Sequence, residues 1–216
     1  MVRLQVALDV VSLEKAINVA SRVAELCEHR HLIFEAGTPL IKSEGILAVR
    51  RLSYLFENIP VVADMKTADV GELEAELAIK NGAQYTTVLA LASDETISAV
   101  VRTAHALGGK TIADLMNVEN LISRAIRLDE LGVDVLCYHV PIDVQAAGKL
   151  DRRVVTRMIA EIKNSVKAKV AVAGGVNVET ARLYADAGAD ILVVGRYIYA
   201  AADPGKAAKD ILLNVV

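Results

Sequence analysis

The sequence is poor in the features that mark a nucleic-acid partner. It has no tryptophan, two phenylalanines and six tyrosines among 216 residues, a net charge of −3, and no basic run. A basic face with interleaved aromatics is the usual footprint of nucleic-acid binding, so that class is set aside. Cysteine is equally scarce: Cys27 and Cys137 are the two, far apart and without metal or redox spacing. Both stand in apolar surroundings, which predicts buried free thiols in a reducing compartment. No apolar stretch reaches membrane-spanning length, and the N-terminus opens on a strand pattern, without a basic segment and cleavage site. The expectation is a cytoplasmic protein with neither membrane nor nucleic acid as a partner.

What is present is a regular alternation. At 54% apolar and 24% charged the chain is globular, and its length suits one domain, 1–216, with a full core. Strand patterns at Leu4–Asp9, Leu32–Glu35, Pro60–Lys66, Gln84–Leu89, Lys110–Asp114, Val133–His139, Ala168–Ala173 and Asp190–Val194 alternate with helical ones. Ser12, Thr38, Ser93, Asn117 and Asp203 are expected to cap helices, with Pro39 and Pro204 at first helical positions. Single helices are expected over 38–56, 70–80, 151–166 and 177–187. Val140–Lys149 reads as the longest connection. Runs such as Val170-Ala171-Val172-Ala173 are apolar throughout, as parallel strands covered on both faces are. Eight such units without a linker, and without GxGxxG after the first strand, predict a closed (β/α)8 TIM barrel over an open doubly wound sheet.

The polar residues then fall at the C-terminal strand ends, where barrels of this kind place their sites. Asp9 ends the first strand, Glu35 the second, Asp64 and Lys66 the third, Asp114 the fifth and His139 the sixth. Asp64 and Lys66, two apart, should share a strand face. Their bland role is a structural ion pair, with Asp69 as N-cap of a capping box in Asp69-Val70-Gly71-Glu72. Acid, base and cation delivered by five strands to one rim favour a site instead. Glu35 and Asp64 can offer oxygens to a hard cation such as Mg2+, which polarises a carbonyl and stabilises an enediolate. His139 can move protons near neutral pH. Gly174, Gly175 and Gly195 leave backbone N–H groups bare at strand ends, and Arg196 adds charge, a pattern that suits phosphate. A phosphosugar is the implied substrate class.

These segments resemble a known family. Asp64-Met65-Lys66-Thr67-Ala68-Asp69 matches the DxKxxD signature of the orotidine 5′-monophosphate decarboxylase suprafamily, and His139 through Gly148 (HVPIDVQAAG) is similar to its 3-hexulose-6-phosphate synthase branch. Ala7-Leu8-Asp9, Glu35-Ala36-Gly37-Thr38-Pro39, Asp114-Leu115-Met116-Asn117, Ala173-Gly174-Gly175-Val176 and Val194-Gly195-Arg196 extend the resemblance over the chain. Glu35, where orotidine decarboxylases carry lysine, implies a Mg2+-dependent member. Ile142 before Asp143 stands where the sister 3-keto-L-gulonate 6-phosphate decarboxylases carry arginine, and leaves that activity as the alternative. Val140-Pro141 departs from the synthase pattern Thr-Gly. The resemblance implies reversible aldol condensation of ribulose 5-phosphate with formaldehyde. It implies Glu35 and Asp64 as metal ligands, Lys66 as enediolate stabiliser and His139 as proton shuttle. Asp9 and Asp114 would orient Lys66 and substrate hydroxyls. Thr38, Asp143, Gly174, Gly175, Gly195 and Arg196 would hold substrate and phosphate. Asp69 would enter the neighbouring subunit's site, so a homodimer with shared sites is expected.

Overall fold

Strand alternation divides the side chains into two apolar clusters. Leu4, Val6, Leu8, Phe34, Ala63, Val88, Leu136 and Val172 join the large one, between strands and helices. Ile33, Val62, Tyr85, Ile112, Val135, Cys137, Ala171 and Ile191 form a smaller one inside a ring of strands. The computed structural model, which describes residues 2–215, closes that ring in sequence order. The strands are β1 (Arg3–Leu8), β2 (Leu32–Ala36), β3 (Val61–Thr67), β4 (Tyr85–Leu89), β5 (Lys110–Asp114), β6 (Val135–His139), β7 (Lys169–Ala173) and β8 (Ile191–Val194), all parallel to their neighbours. Pairing of β1 with β8, Leu4 against Leu192, completes a single-domain (β/α)8 TIM barrel.

The connections hold α1 (Leu13–Leu26), α2 (Thr38–Glu44), α3 (Leu47–Leu55), α4 (Gly71–Lys80), α5 (Asp94–Ala106), α6 (Leu121–Glu130), α7 (Ile142–Ala146), α8 (Arg152–Ser165), α9 (Ala181–Asp186), α10 (Arg196–Tyr199) and α11 (Pro204–Val215). Ser12 and Ser93 cap as expected, accepting from the Lys15 and Thr96 N–H groups. No helix among the described residues is long and apolar enough to cross a membrane. Cys27 and Cys137 are both free and buried, and burial pushes the Cys27 thiol up to about 11.

Several helix boundaries differ from those expected, for local reasons. The helix over 38–56 is two, because Gly45 at φ +69° takes a backbone that L residues avoid, and its N–H closes α2 on the Ile41 carbonyl. Gly37, not Thr38, is the N-cap of α2, since the Thr38 hydroxyl turns to Asp64. Asn117 caps nothing: it sits at φ +59°, where asparagine is tolerated, and Asn120 precedes α6. The helix after β7 begins at Ala181, because the Asn177 side chain accepts from the Glu179 and Thr180 N–H groups in a turn. Val140–Lys149 contains α7, and α10 follows β8 directly. Asp69 closes no capping box: Val70 is the N-cap of α4, at φ +48°, and the Asp69 carboxylate accepts from the Val70 N–H at 2.8 Å.

The last helix seals the ring against the first. A Cβ on Gly205 would lie 2.4 Å from the Arg22 carbonyl oxygen of α1. Helix propensity alone says Gly205→Ala gains about 1 kcal/mol. The clash with backbone should win, and the variant should lose about 1–3 kcal/mol in urea denaturation.

Candidate active site

β3 sets the geometry of the site through its own irregularity. Its pairing with β4 shifts register between Ala63 and Thr67, and Lys66 sits at φ +48°. That left-handed backbone is disfavoured for a residue with a side chain, and the Lys66 N–H donating to Thr87 Oγ1 at 2.8 Å helps hold it. Lys66 Nζ then lies 3.0 Å from both Asp64 oxygens and 3.0 Å from Asp114 Oδ2 on β5. Burial favours the neutral amine, but Asp64, then Asp114 and Glu35, outweigh it and keep the ammonium protonated far beyond the usual lysine range.

Each partner is itself held. Asp64 Oδ1 accepts from Thr87 Oγ1 at 2.9 Å, and Oδ2 from Thr38 Oγ1 at 2.7 Å and the Thr38 N–H at 3.2 Å. Asp114 Oδ1 accepts from the Met116 N–H at 3.0 Å, and its Oδ2 also meets His139 Nδ1 at 2.9 Å. Burial raises the Asp114 carboxyl, yet the His139 hydrogen bond and charge and the Lys66 charge hold it at about 2. A carboxylate at Nδ1 makes that nitrogen the donor, which leaves Nε2 as the basic nitrogen of the neutral ring.

On the other wall, acids crowd one another. Glu35 on β2 is buried at the cavity floor, and burial, then the charges of Asp64 and Asp9, hold its carboxyl well above the ordinary glutamate value. Asp9 is raised by burial and by Asp64. Glycine makes its place: a Cβ on Gly37 would lie 2.1 Å from Asp9 Oδ1, and one on Gly195 3.2 Å from Oδ2. Among the described residues no three His, Cys, Asp or Glu side chains gather to hold a metal alone. Glu35 and Asp64 nevertheless fit a Mg2+ that keeps waters: both are hard oxygen donors, and a cation would offset the burial and the neighbouring negative charge that raise the Glu35 carboxyl.

All eight strands contribute to one cavity of about 910 Å³ above this cluster. Gly174, Gly175, Gly195, Arg196, Asp143 and Thr38 line it together with Asp9, Glu35, Asp64, Lys66, Asp114 and His139. Among the described residues, the N–H groups of Gly175, Val176, Gly195 and Arg196 meet no acceptor within the chain, and Arg196 forms no ion pair. This wall is an open array of donors.

A family model described as Orotidine 5′-phosphate decarboxylase / HUMPS family matches residues 2–211. The chain belongs to this family. It is 40% identical over 211 residues to the 3-hexulose-6-phosphate synthase of Mycobacterium gastri, covering 97% of each chain. With the 3-hexulose-6-phosphate synthase of Staphylococcus epidermidis it shares 38% over 206 residues, 95% of each. A crystal structure of 3-hexulose-6-phosphate synthase superposes with a TM-score of 0.92 at 38% identity, covering 99% of this chain and 100% of that one. A 3-keto-L-gulonate-6-phosphate decarboxylase from Vibrio cholerae superposes at 0.82 and 27% identity, over 99% of this chain and 97% of that one. This member of the orotidine 5′-phosphate decarboxylase / HUMPS family is thus an enzyme, a carbon–carbon lyase similar to the 3-hexulose-6-phosphate synthases.

Within this family member, the residues singled out from sequence converge, with one exception. Asp69 is exposed and lies outside the cavity of its own chain, in a shallow hollow with Val70, Leu73 and Glu95. Sequence reasoning passed over Thr87, which bridges Asp64 and the Lys66 backbone, because its strand ends in no charge. It also passed over Gln5, four residues before Asp9 and so on the same face of the chain, whose amide reaches Glu35. An amide inside an otherwise apolar strand was the available signal.

The raised Glu35 carboxyl has a stability consequence. The native state binds more protons than the unfolded chain between the two pKa values, so stability falls as pH rises through that window. Glu35→Gln removes this dependence. In chelator, its denaturation midpoint should gain on the parent as pH is raised from about 4 to about 8, and a pH-independent difference would refute the assignment.

Proposed function

We propose that this enzyme condenses D-ribulose 5-phosphate with formaldehyde, reversibly, to D-arabino-hex-3-ulose 6-phosphate. The observation that carries the reading is the Lys66 ammonium beside an Asp114–His139 pair, beneath a cavity whose far wall offers free glycine N–H groups and Arg196. The naming of relatives at 37–40% identity as 3-hexulose-6-phosphate synthases supports the choice of substrates.

The glycine turns and Arg196 bind the phosphate and so fix the sugar's length along the cavity. His139 Nε2 takes the proton from C1 of the pentulose, and the electron pair left behind spreads to the C2 oxygen as an enediolate. Lys66, kept charged by its two carboxylates, stabilises that oxygen where negative charge develops. C1 then attacks the formaldehyde carbon, and the new alkoxide takes the proton back from His139. Glu35 and Asp64 are the residues that would hold Mg2+, which when bound supplies a Lewis acid for the substrate oxygens. Asp9 and Asp143 face the same space and orient hydroxyl groups.

Purified protein should consume formaldehyde only with ribulose 5-phosphate present, and chelator should abolish this. Release of CO2 from 3-keto-L-gulonate 6-phosphate without formaldehyde turnover would replace the synthase reading by the decarboxylase one. Arg196→Ala should mainly raise KM for the phosphosugar, because phosphate is bound in ground and transition states alike. An unchanged KM would move the phosphate elsewhere.

The working unit proposed is a homodimer with shared sites. Asp69 stands on the surface beside Val70, Leu73 and Leu77, apolar side chains that are 56%, 63% and 41% exposed and that a second copy could cover. Asp69→Asn should cut activity strongly while leaving Tm unchanged. Mixed with inactive Lys66→Ala under conditions of verified subunit exchange, it should regain part of the activity, since one site of each mixed dimer keeps both residues. No recovery would overturn the shared site.

A further inference from the structure

The barrel interior holds a polar side chain that the chemistry above leaves without a role. Gln5 is 3% exposed, sits in register between Ile33 of β2 and Val193 of β8, and lines the cavity. Its Nε2 donates to Glu35 Oε2 at 2.7 Å, while its Oε1 is buried with no partner among the described residues. A buried amide with one end unsatisfied is unfavourable, and methionine would occupy the same space among these apolar neighbours without an orphaned acceptor. Packing therefore does not explain an amide here, whereas Glu35 does.

The two carboxylates assigned to the cation differ in how they are held. Asp64 is fixed by Lys66, Thr38 and Thr87. Glu35, with a longer and more flexible side chain, has Gln5 as its one side-chain hydrogen bond among the described residues. A ligand must be oriented before the ion arrives if binding is not to be weakened by the cost of ordering it, and partners behind the ligands commonly do this.

We infer that Gln5 is a positioning residue for the divalent cation, acting through Glu35. The inference rests on the Mg2+ reading of the proposed function. Its test is a titration of the substrate-free protein with Mn2+, counting free ion by electron paramagnetic resonance. Wild type should bind, and Gln5→Met should bind about 10- to 100-fold more weakly. At saturating Mg2+ the variant should regain turnover, with KM for the phosphosugar unchanged. A folded Gln5→Met with wild-type affinity, whatever its Tm, overturns the role and leaves Gln5 a packing residue. Absence of Mn2+ binding by wild type itself overturns the metal reading, and this inference with it, before any variant is compared. Should Gln5→Met fail to fold, Gln5→Asn, an amide one methylene too short to reach Glu35, carries the same two expectations.

Discussion

The Lys66 ammonium, 3.0 Å from Asp64 and 3.0 Å from Asp114, is the contact on which the arrangement of this site depends. It crosses from β3 to β5 over the strand between them, and β4 joins in through Thr87. Two carboxylates, each about 5% exposed, would repel one another and their surroundings without it. Removing one member of a buried pair of this kind costs about 3–5 kcal/mol, toward the lower end here because the lysine is 25% exposed. The lysine is therefore a structural keystone of the barrel interior, and in the proposed reaction its charge is used a second time. Its strained backbone at φ +48° is the local cost of aiming it inward.

The rest of the interior is shaped by what that cation leaves unbalanced. Asp64 and Asp114 take up Lys66, so among the described residues Asp9 and Glu35 stand beside them without an ion-pair partner of their own. Small residues, Ala7, Ala173, Gly175 and Gly195 among them, keep the space above them open where larger side chains would have filled the barrel. An apolar interior would be more stable. Burial and neighbouring negative charge instead raise both carboxyls, an arrangement that a positive charge would stabilise. The N–H donors of the turns after β7 and β8 and the Arg196 side chain line the same cavity, with Gly195 close beside Asp9.

The fold was legible because parallel strands packed on both faces leave apolar runs, and eight of them with helical patterns between admit few topologies. Each strand pattern ends within two residues of the observed strand. Helix ends were less legible. Thr38, Asn117 and Asp69 are residue types that cap helices, but each has a competing use: a bond to Asp64, a left-handed turn, a bond to the next N–H. A side chain with two possible partners is assigned by whichever the tertiary structure brings closer.

For the site, the sequence by itself determined which charged groups stand at the strand ends, since chain order and strand period place Asp9, Glu35, Asp64, Lys66, Asp114 and His139 on one rim. What it could not determine is who pairs with whom. Only the closed barrel decided that Lys66 bridges to Asp114, 48 positions away, that His139 shares the same oxygen, and that Gln5 and Thr87 hold Glu35 and Asp64. The reason is physical: periodicity sets the direction of a side chain from its own backbone, whereas hydrogen bonds across a barrel depend on register, on the bulge in β3 and on the burial that makes an unpaired charge intolerable.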